Sequence, residues 1–437
     1  MEKEKKSSIK VLILTHEYGR RITGGLGRVV NGIFKWMPSN IVLDIYQVKF
    51  PFPSMIDLTQ TYTVEERKFM AYIYRKSDQN RVKCLLNGDY KEVLNEILKR
   101  ENYDIVHIIV NSSVMAECLK EIKALSQNIK TVYSCHSMAK YEIEIRNNYP
   151  DELIHEEYIF NNVDYFHLLN NTSIKYLQKC YTDIAGKKQI FIIPNGIEES
   201  DFISIDDSFK NELYKQYDQN KNRFVLCLTR WSFGKGLEYL LDAIPIVVKE
   251  LKNVKFILAG RKPSSWENNV NEYVRMIDQK IEQVNEYVIP LGWLDNLPRN
   301  TVFSIADICV MPSMLEYFPY SILEPMICKV PVISSRIESV EEILKDNQEC
   351  LFYSPKNPNE LAERLIYFLD NQKIRKEIAL RAFQKAKEHY NWQTICEKYA
   401  DMYQNILLNS QNSTDYLKKN DHANLSAINP HTRALIH

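Results

Sequence analysis

Short apolar runs recur along this chain, separated by longer amphipathic stretches, and that alternation leaves few folds open. VLILTHEY, IVLDIYQV, DIVHIIVNS, TVYSCHS, YFHLLN and QIFIIPNG are nearly continuous in apolar character, as strands covered on both faces must be. Between them, Lys91 to Arg100 and Thr172 to Gln178 show helical spacing, so the pattern predicts a parallel sheet with helices on both sides. After Asn195 and Gly196 the composition turns polar, in ESDFISIDDSFKNELYKQYDQNKNR. The alternation then restarts with RFVLCLTR, VKFILAGR, YVIPLGW, ICVMPS and VPVISS. A chain of 437 residues is too long for one ordinary core. The expected fold class is therefore α/β, with two doubly wound halves facing a central cleft. The boundaries read as 1–198 and 199–390. A closing helix follows over 391–407, with Trp392, Ile395, Tyr399, Met402 and Ile406 on one stripe, and the composition of 408–437 predicts a flexible tail.

Charge and cysteine content narrow the partners. Lys plus Arg number 56, as do Asp plus Glu, so no net field favours a polyanion and nucleic acid is not expected. The nine cysteines are scattered without a CxxC pair, which fits buried thiols in a reducing compartment rather than bridges or metal ligands. The charged start MEKEKKSSIK meets an apolar run too brief for a signal peptide core or a spanning helix, and a cytoplasmic protein is expected. Lys49 to Ile56, KFPFPSMI, is either a buried loop or an exposed apolar loop able to touch the inner membrane face.

Three motifs carry chemistry. In the first, Gly24, Gly25 and Gly27 lie between a strand and a helix, where backbone amides can approach an anion or simply make a tight turn. A dinucleotide fingerprint fits poorly, because Val30 stands where its third glycine belongs. In the second, TRWSFGKG places Arg230 at a strand end and Lys235 between two glycines. Paired cations there stabilise the charge that grows on a departing diphosphate; an ordinary solvated pair is the competing reading. In the third, LEYFPYSILEPM sets Glu316 on a loop and Glu324 about one turn into a helix whose start, at Tyr320, Ser321 and Ile322, presents free amides. Carboxylates so placed accept hydrogen bonds from sugar and ribose hydroxyls, although glutamate is also common near helix starts for dipole reasons.

Taken in order, HEYxxxxxGGLGxVV, IIPNGI, LTRxxxxKGLEYLLDAI, LEYFPYSILEPM with VPVISS, and YNWxxxxxxYxxMY resemble the GT-B retaining glycosyltransferases of family 4, with glycogen synthase-like motifs, over residues 10 to about 406. The resemblance implies two Rossmann-like domains, the first for the acceptor and the second for the nucleotide-sugar donor. It implies that Arg230 and Lys235 hold the donor diphosphate and that Glu316 and Glu324 hold donor sugar and ribose. Gly24, Gly25, Asn195, Tyr320 and Ser321 complete the implied donor site. His136, after a strand of the first domain, is implied to lie beside the reacting centre, whereas His16 and His107 read as structural. The resemblance implies a retaining transfer in which the leaving phosphate oxygen takes the acceptor proton, and because no DxD occurs, no metal ion or other cofactor is expected.

Departures from the family pattern fall at Glu338 and Ser339, where paired glycines are common, at Lys329, where a small residue is expected, and at Arg261. They leave the donor sugar and base open. An inactive scaffold, an epimerase and a phosphorylase on the same double fold stand as alternatives. The acceptor is unassigned, with Lys49 to Asn80 and Ala139 to Asp151 as the expected acceptor loops.

Overall fold

The computed structural model describes residues 8–18, 25–49, 70–75, 82–86, 90–125, 128–146, 150–202, 206–217, 222–260, 262, 270–292 and 299–424. Gly24, Arg261 and the Phe50 to Ile56 part of the apolar loop lie outside these residues. Fourteen strands are described: β1 Ile9–Thr15, β2 Ile41–Lys49, β3 Met70–Arg75, β4 Val82–Leu86, β5 Ile105–Ile108, β6 Lys130–Cys135, β7 Tyr165–Leu168, β8 Gln189–Ile192, β9 Arg223–Leu228, β10 Val254–Ala259, β11 Val288–Gly292, β12 Ile308–Met311, β13 Val332–Ser335 and β14 Leu351–Tyr353.

They form two sheets, in the orders β4-β3-β2-β1-β5-β6-β7-β8 and β11-β10-β9-β12-β13-β14. The second sheet is parallel throughout, and the first is parallel except where β3 pairs antiparallel with β2 and β4. The α/β class with two doubly wound sheets is thus the observed one. In each sheet the strand order reverses once beside the first strand, between β1 and β5 and between β9 and β12. Such switch points leave a crevice at the carboxyl ends of the strands, where open α/β sheets bind ligands.

Four apolar clusters are described: one lies within the first half with the closing helix, two within the second, and the fourth is shared. The shared cluster runs from β1, β5 and β6 through Tyr317, Phe318 and Ile322 of the second half, so the halves share a continuous seam. Asn170 Nδ2 donates to the Tyr317 carbonyl at 2.6 Å and the Met138 amide to the Tyr317 hydroxyl at 2.9 Å. Asn195 Nδ2 donates to the Phe318 carbonyl at 2.8 Å. At the rim, Glu342 accepts the Asn171 and Thr172 amides at 3.0 and 2.6 Å. One half thereby caps the helix Asn171–Cys180 of the other.

The closing helix runs Trp392–Asn424, well past the 391–407 span expected for it, so the first part of the expected tail is helical. Its predicted stripe is buried against the helix Gly25–Trp36 and β1. The Trp392 ring lies between Gly32 and Gly196, and a methyl group on either glycine would come closer than 3.0 Å to ring atoms. Bulk at these two glycines is therefore excluded by one indole. Beside it, the Ile197 amide donates to the Tyr390 carbonyl at 2.7 Å, so the two chain passages between the halves run side by side.

Candidate active site

The second half supplies a loop, a strand end and a helix. Beyond β9, the chain passes Arg230 and turns through Gly234 and Gly236, both at positive φ, before the helix Leu237–Glu250. At Gly236 a Cβ would collide with the Pro312 carbonyl, so the loop lies tight against the end of β12. That contact brings Lys235 to Glu316, eighty-one positions along the chain, with Nζ to Oε1 at 2.6 Å. The Ser313 hydroxyl donates to the same carboxylate oxygen at 2.8 Å, and the Ser339 hydroxyl donates to the Glu316 carbonyl at 2.6 Å. The lysine and glutamate side chains are only 10% and 13% exposed, so their charges sit in a recess rather than in bulk water.

Arg230 differs from its partner in the motif. It is exposed and, among the described residues, has no ion pair, its carbonyl accepting only the Ser232 amide. The cation expected beside Lys235 is thus a solvent-facing one at the strand end.

Glu324 lies in the helix Tyr320–Ile327, which Pro319 caps with extended backbone. The amides of Ile322 and Leu323 both turn back to the Pro319 carbonyl, at 3.1 and 3.3 Å. Ile322 therefore does not present the free amide expected of it, because the first turn closes on its own cap. The Glu324 side chain is 1% exposed and ion-paired with Arg28 Nη1 of the helix Gly25–Trp36, across the cleft. The Arg28 guanidinium also lies over the Tyr320 ring, 5.0 Å from its centroid. Gly25 opens that helix, and a Cβ there would stand 3.3 Å from the Tyr320 ring, so the two helix starts abut. The helix beginning at Gly25 is capped from within the chain: Glu17 Oε2 accepts the Gly27 amide at 3.0 Å.

His136 follows β6. Burial, with a contribution from neighbouring His167, pushes its imidazole down to about 3, so the ring is neutral at pH 7. Its Nε2 is buried without a hydrogen-bond partner among the described residues. Beneath it a polar chain crosses the core. Tyr403 Oη lies 2.8 Å from His107 Nδ1, His107 Nε2 lies 2.6 Å from Ser134 Oγ, Ser134 Oγ lies 2.5 Å from His167 Nδ1, and His167 Nε2 lies 2.7 Å from the Ile193 carbonyl. A carbonyl only accepts, so His167 Nε2 must donate, and each link back to the Tyr403 hydroxyl takes a single direction. His107 and His16 are structural in position as read: His16 bridges the Val48 carbonyl and the Ser112 hydroxyl, each at 2.8 Å. The chain pins β6 under His136 and the Ile193 to Asn195 segment together. Asn195 is 5% exposed.

The family departures have structural uses of their own. Lys329 has φ +58°, the left-handed conformation glycine prefers, and its ammonium lies 4.3 Å from the Phe383 ring centroid. That position ends the helix of Glu324 rather than lining its cleft face. Glu338 pairs with Lys175, and Ser339 braces Glu316. Both act on contacts around the cleft.

Sequence reasoning missed Arg28, Ser313 and the Glu342 clasp. Arg28 stands one turn into the helix that follows the glycine turn, a position that faces whatever the turn faces, and this was the available signal. Ser313 and Glu342 carried none.

Two facing doubly wound domains with a cation–carboxylate pair at the second switch point are the arrangement of the GT-B fold. Comparison with known families agrees. Residues 209–385 match the model for glycosyl transferases group 1 and residues 65–201 that for glycosyltransferase family 4. An uncharacterized glycosyltransferase of Methanocaldococcus jannaschii is 21% identical over 90% of this chain and 98% of its own. The N-acetyl-alpha-D-glucosaminyl L-malate synthase of Bacillus anthracis is 21% identical over 72% of this chain and 78% of its own. The structure of Anabaena HepE in complex with UDP-glucose superposes with a TM-score of 0.66 at 17% identity, covering 91% of this chain and all of that one. The chain belongs to the family 4-type GT-B glycosyltransferases.

Among the described residues, no helix is long and apolar enough to cross a membrane.

Proposed function

We propose that this enzyme transfers a hexosyl unit from a nucleotide-diphosphate sugar to a polar acceptor with retention of anomeric configuration and without a metal ion. The observation that carries the reading is the buried Lys235–Glu316 pair, which joins the diphosphate motif and the sugar motif at one point. In that reading Lys235, with Arg230 at the mouth, stabilises charge growing on the leaving diphosphate, a charge smaller in the intact donor. Glu316 accepts hydrogen bonds from donor sugar hydroxyls, Glu324 from ribose, and Asn195, Tyr320 and Ser321 border the donor. A neutral His136 donates or accepts one hydrogen bond at the sugar or the acceptor, and it does not serve as a proton store at pH 7. The departing phosphate oxygen takes the acceptor proton as the new bond forms on the same face.

Nucleotide release with a panel of UDP-, ADP- and GDP-sugars, in EDTA and with added magnesium, tests donor and metal independence. Proton NMR of the first product tests retention. Activity abolished by EDTA and restored by magnesium, or an inverted product, would overturn the respective part.

A further inference from the structure

We propose that Arg28 is a third cation for the donor diphosphate, delivered from the first domain by exchange of ion-pair partners; this rests on the nucleotide-sugar reading above. Two of the cleft's cations are held by two of its acids: Lys235 by Glu316 and Arg28 by Glu324. Glu324 is 1% exposed and Arg28 19%, so the guanidinium stands between the carboxylate and the cleft. No hydroxyl reaches Glu324 until Arg28 swings aside. When it does, its charge stays in the recess, held near the Tyr320 ring face. An incoming diphosphate supplies the anions that both cations lose, and the two glutamates turn to hydroxyls. Charge is conserved: two carboxylate–cation pairs become two phosphate–cation contacts, and the acids take neutral donors in exchange. Because Arg28 and Lys235 belong to different halves, the diphosphate then ties the halves together.

Calorimetric titration of the full chain with the nucleoside diphosphate that the wild type binds best among UDP, ADP and GDP, and with the matching nucleoside, tests this. Arg28→Gln is expected to weaken the diphosphate about tenfold, the worth of one charge-assisted hydrogen bond, and not to weaken the nucleoside, whose ribose no longer has to displace Arg28 from Glu324. Arg28→Lys should recover part of the loss. Circular dichroism melting establishes that each variant is folded, and Arg28→Gln combined with Glu324→Gln removes the buried acid's charge should the single variant fail to fold. Equal losses for diphosphate and nucleoside, or none for either, overturn the role of Arg28. If Lys235→Met also leaves diphosphate affinity intact, or if the wild type binds none of the three, the nucleotide-sugar reading itself falls.

Discussion

Replacing Lys235 by Met should do two separable things, and the structure gives the size of the first. Lys235 and Glu316 are 10% and 13% exposed and 2.6 Å apart. Deleting one partner of a buried pair leaves the other charged, desolvated and unmatched, which typically costs 3–5 kcal/mol. The Ser313 hydroxyl, 2.8 Å from the same oxygen, still supplies one hydrogen bond to Glu316, and the recess admits some water. The lower end, about 3 kcal/mol, is therefore expected. For a cooperative unit the size of the second domain this is a drop of about 6–12 °C in melting temperature. Adding Glu316→Gln removes the stranded charge, so the double variant should be more stable than the sum of the singles by about 2 kcal/mol or more. Differential scanning calorimetry of the wild type, both singles and the double closes the cycle. Nucleotide release assays then show whether the refolded double variant stays inactive. Strict additivity, or a Lys235→Met protein that melts with the wild type, would refute the argument, because the lysine would then be neither buried nor poised.

Three further outcomes follow from the geometry. Gly32→Ala should destabilise the chain by several kcal/mol, because the new methyl enters the Trp392 ring; urea unfolding followed by tryptophan fluorescence would show a lower midpoint, and an unchanged midpoint would contradict the packing. Partial burial pushes the Glu342 carboxyl up, but hydrogen bonds from Thr172 and Asn171 together hold it below its ordinary 4.5. A depressed acid contributes stability above its unfolded pKa and loses it as pH falls through the folded one. Glu342 is exposed, so solvent screening limits the cost of Glu342→Gln to about 0.5 kcal/mol at pH 7, with the gap to wild type closing as pH falls below the ordinary 4.5. A gap constant from pH 7 to 3 would sink the clasp. Burial depresses His136 to about 3 and His167 to about 4, and His107 well below 6.5. Their unfolded states bind protons first, so melting temperature should begin to fall below about pH 6.5, and His167→Gln should flatten part of that slope; identical slopes would disprove it.

The parallel strands were legible because strands covered on both faces leave uninterrupted apolar runs, as Val11 to Leu14 and Phe224 to Leu226 do. β3, β4 and β14 were not. MAYIYR and VKCLL are short, lie at the antiparallel edge and interrupt their apolar residues, and LFY is too brief to register. The helical extension to Asn424 escaped because a polar helix continuing beyond its packed stripe has the composition of a loose tail. Within the candidate site, Lys235, Glu316 and Glu324 were singled out by their motifs together with the family resemblance. The partner of Glu324 was not, since Arg28 stands 296 positions away. Ile322 failed as a free amide for a local reason, a helix cap that folds onto itself. The histidine chain was invisible because its members come from β5, β6, β7 and the closing helix, and nothing in any one segment announces the others.

The side-by-side passage at Ile197 and Asn391 has a mechanical consequence. Both covalent links between the domains cross at one place, wedged by the Trp392 indole. A swing of one domain on the other therefore pivots there, with the chain barely stretched, and the gape grows with distance from that tryptophan. A swing that widens the cleft would part the rim contact in which Glu342 accepts the Asn171 and Thr172 amides, while the pivot stays closed.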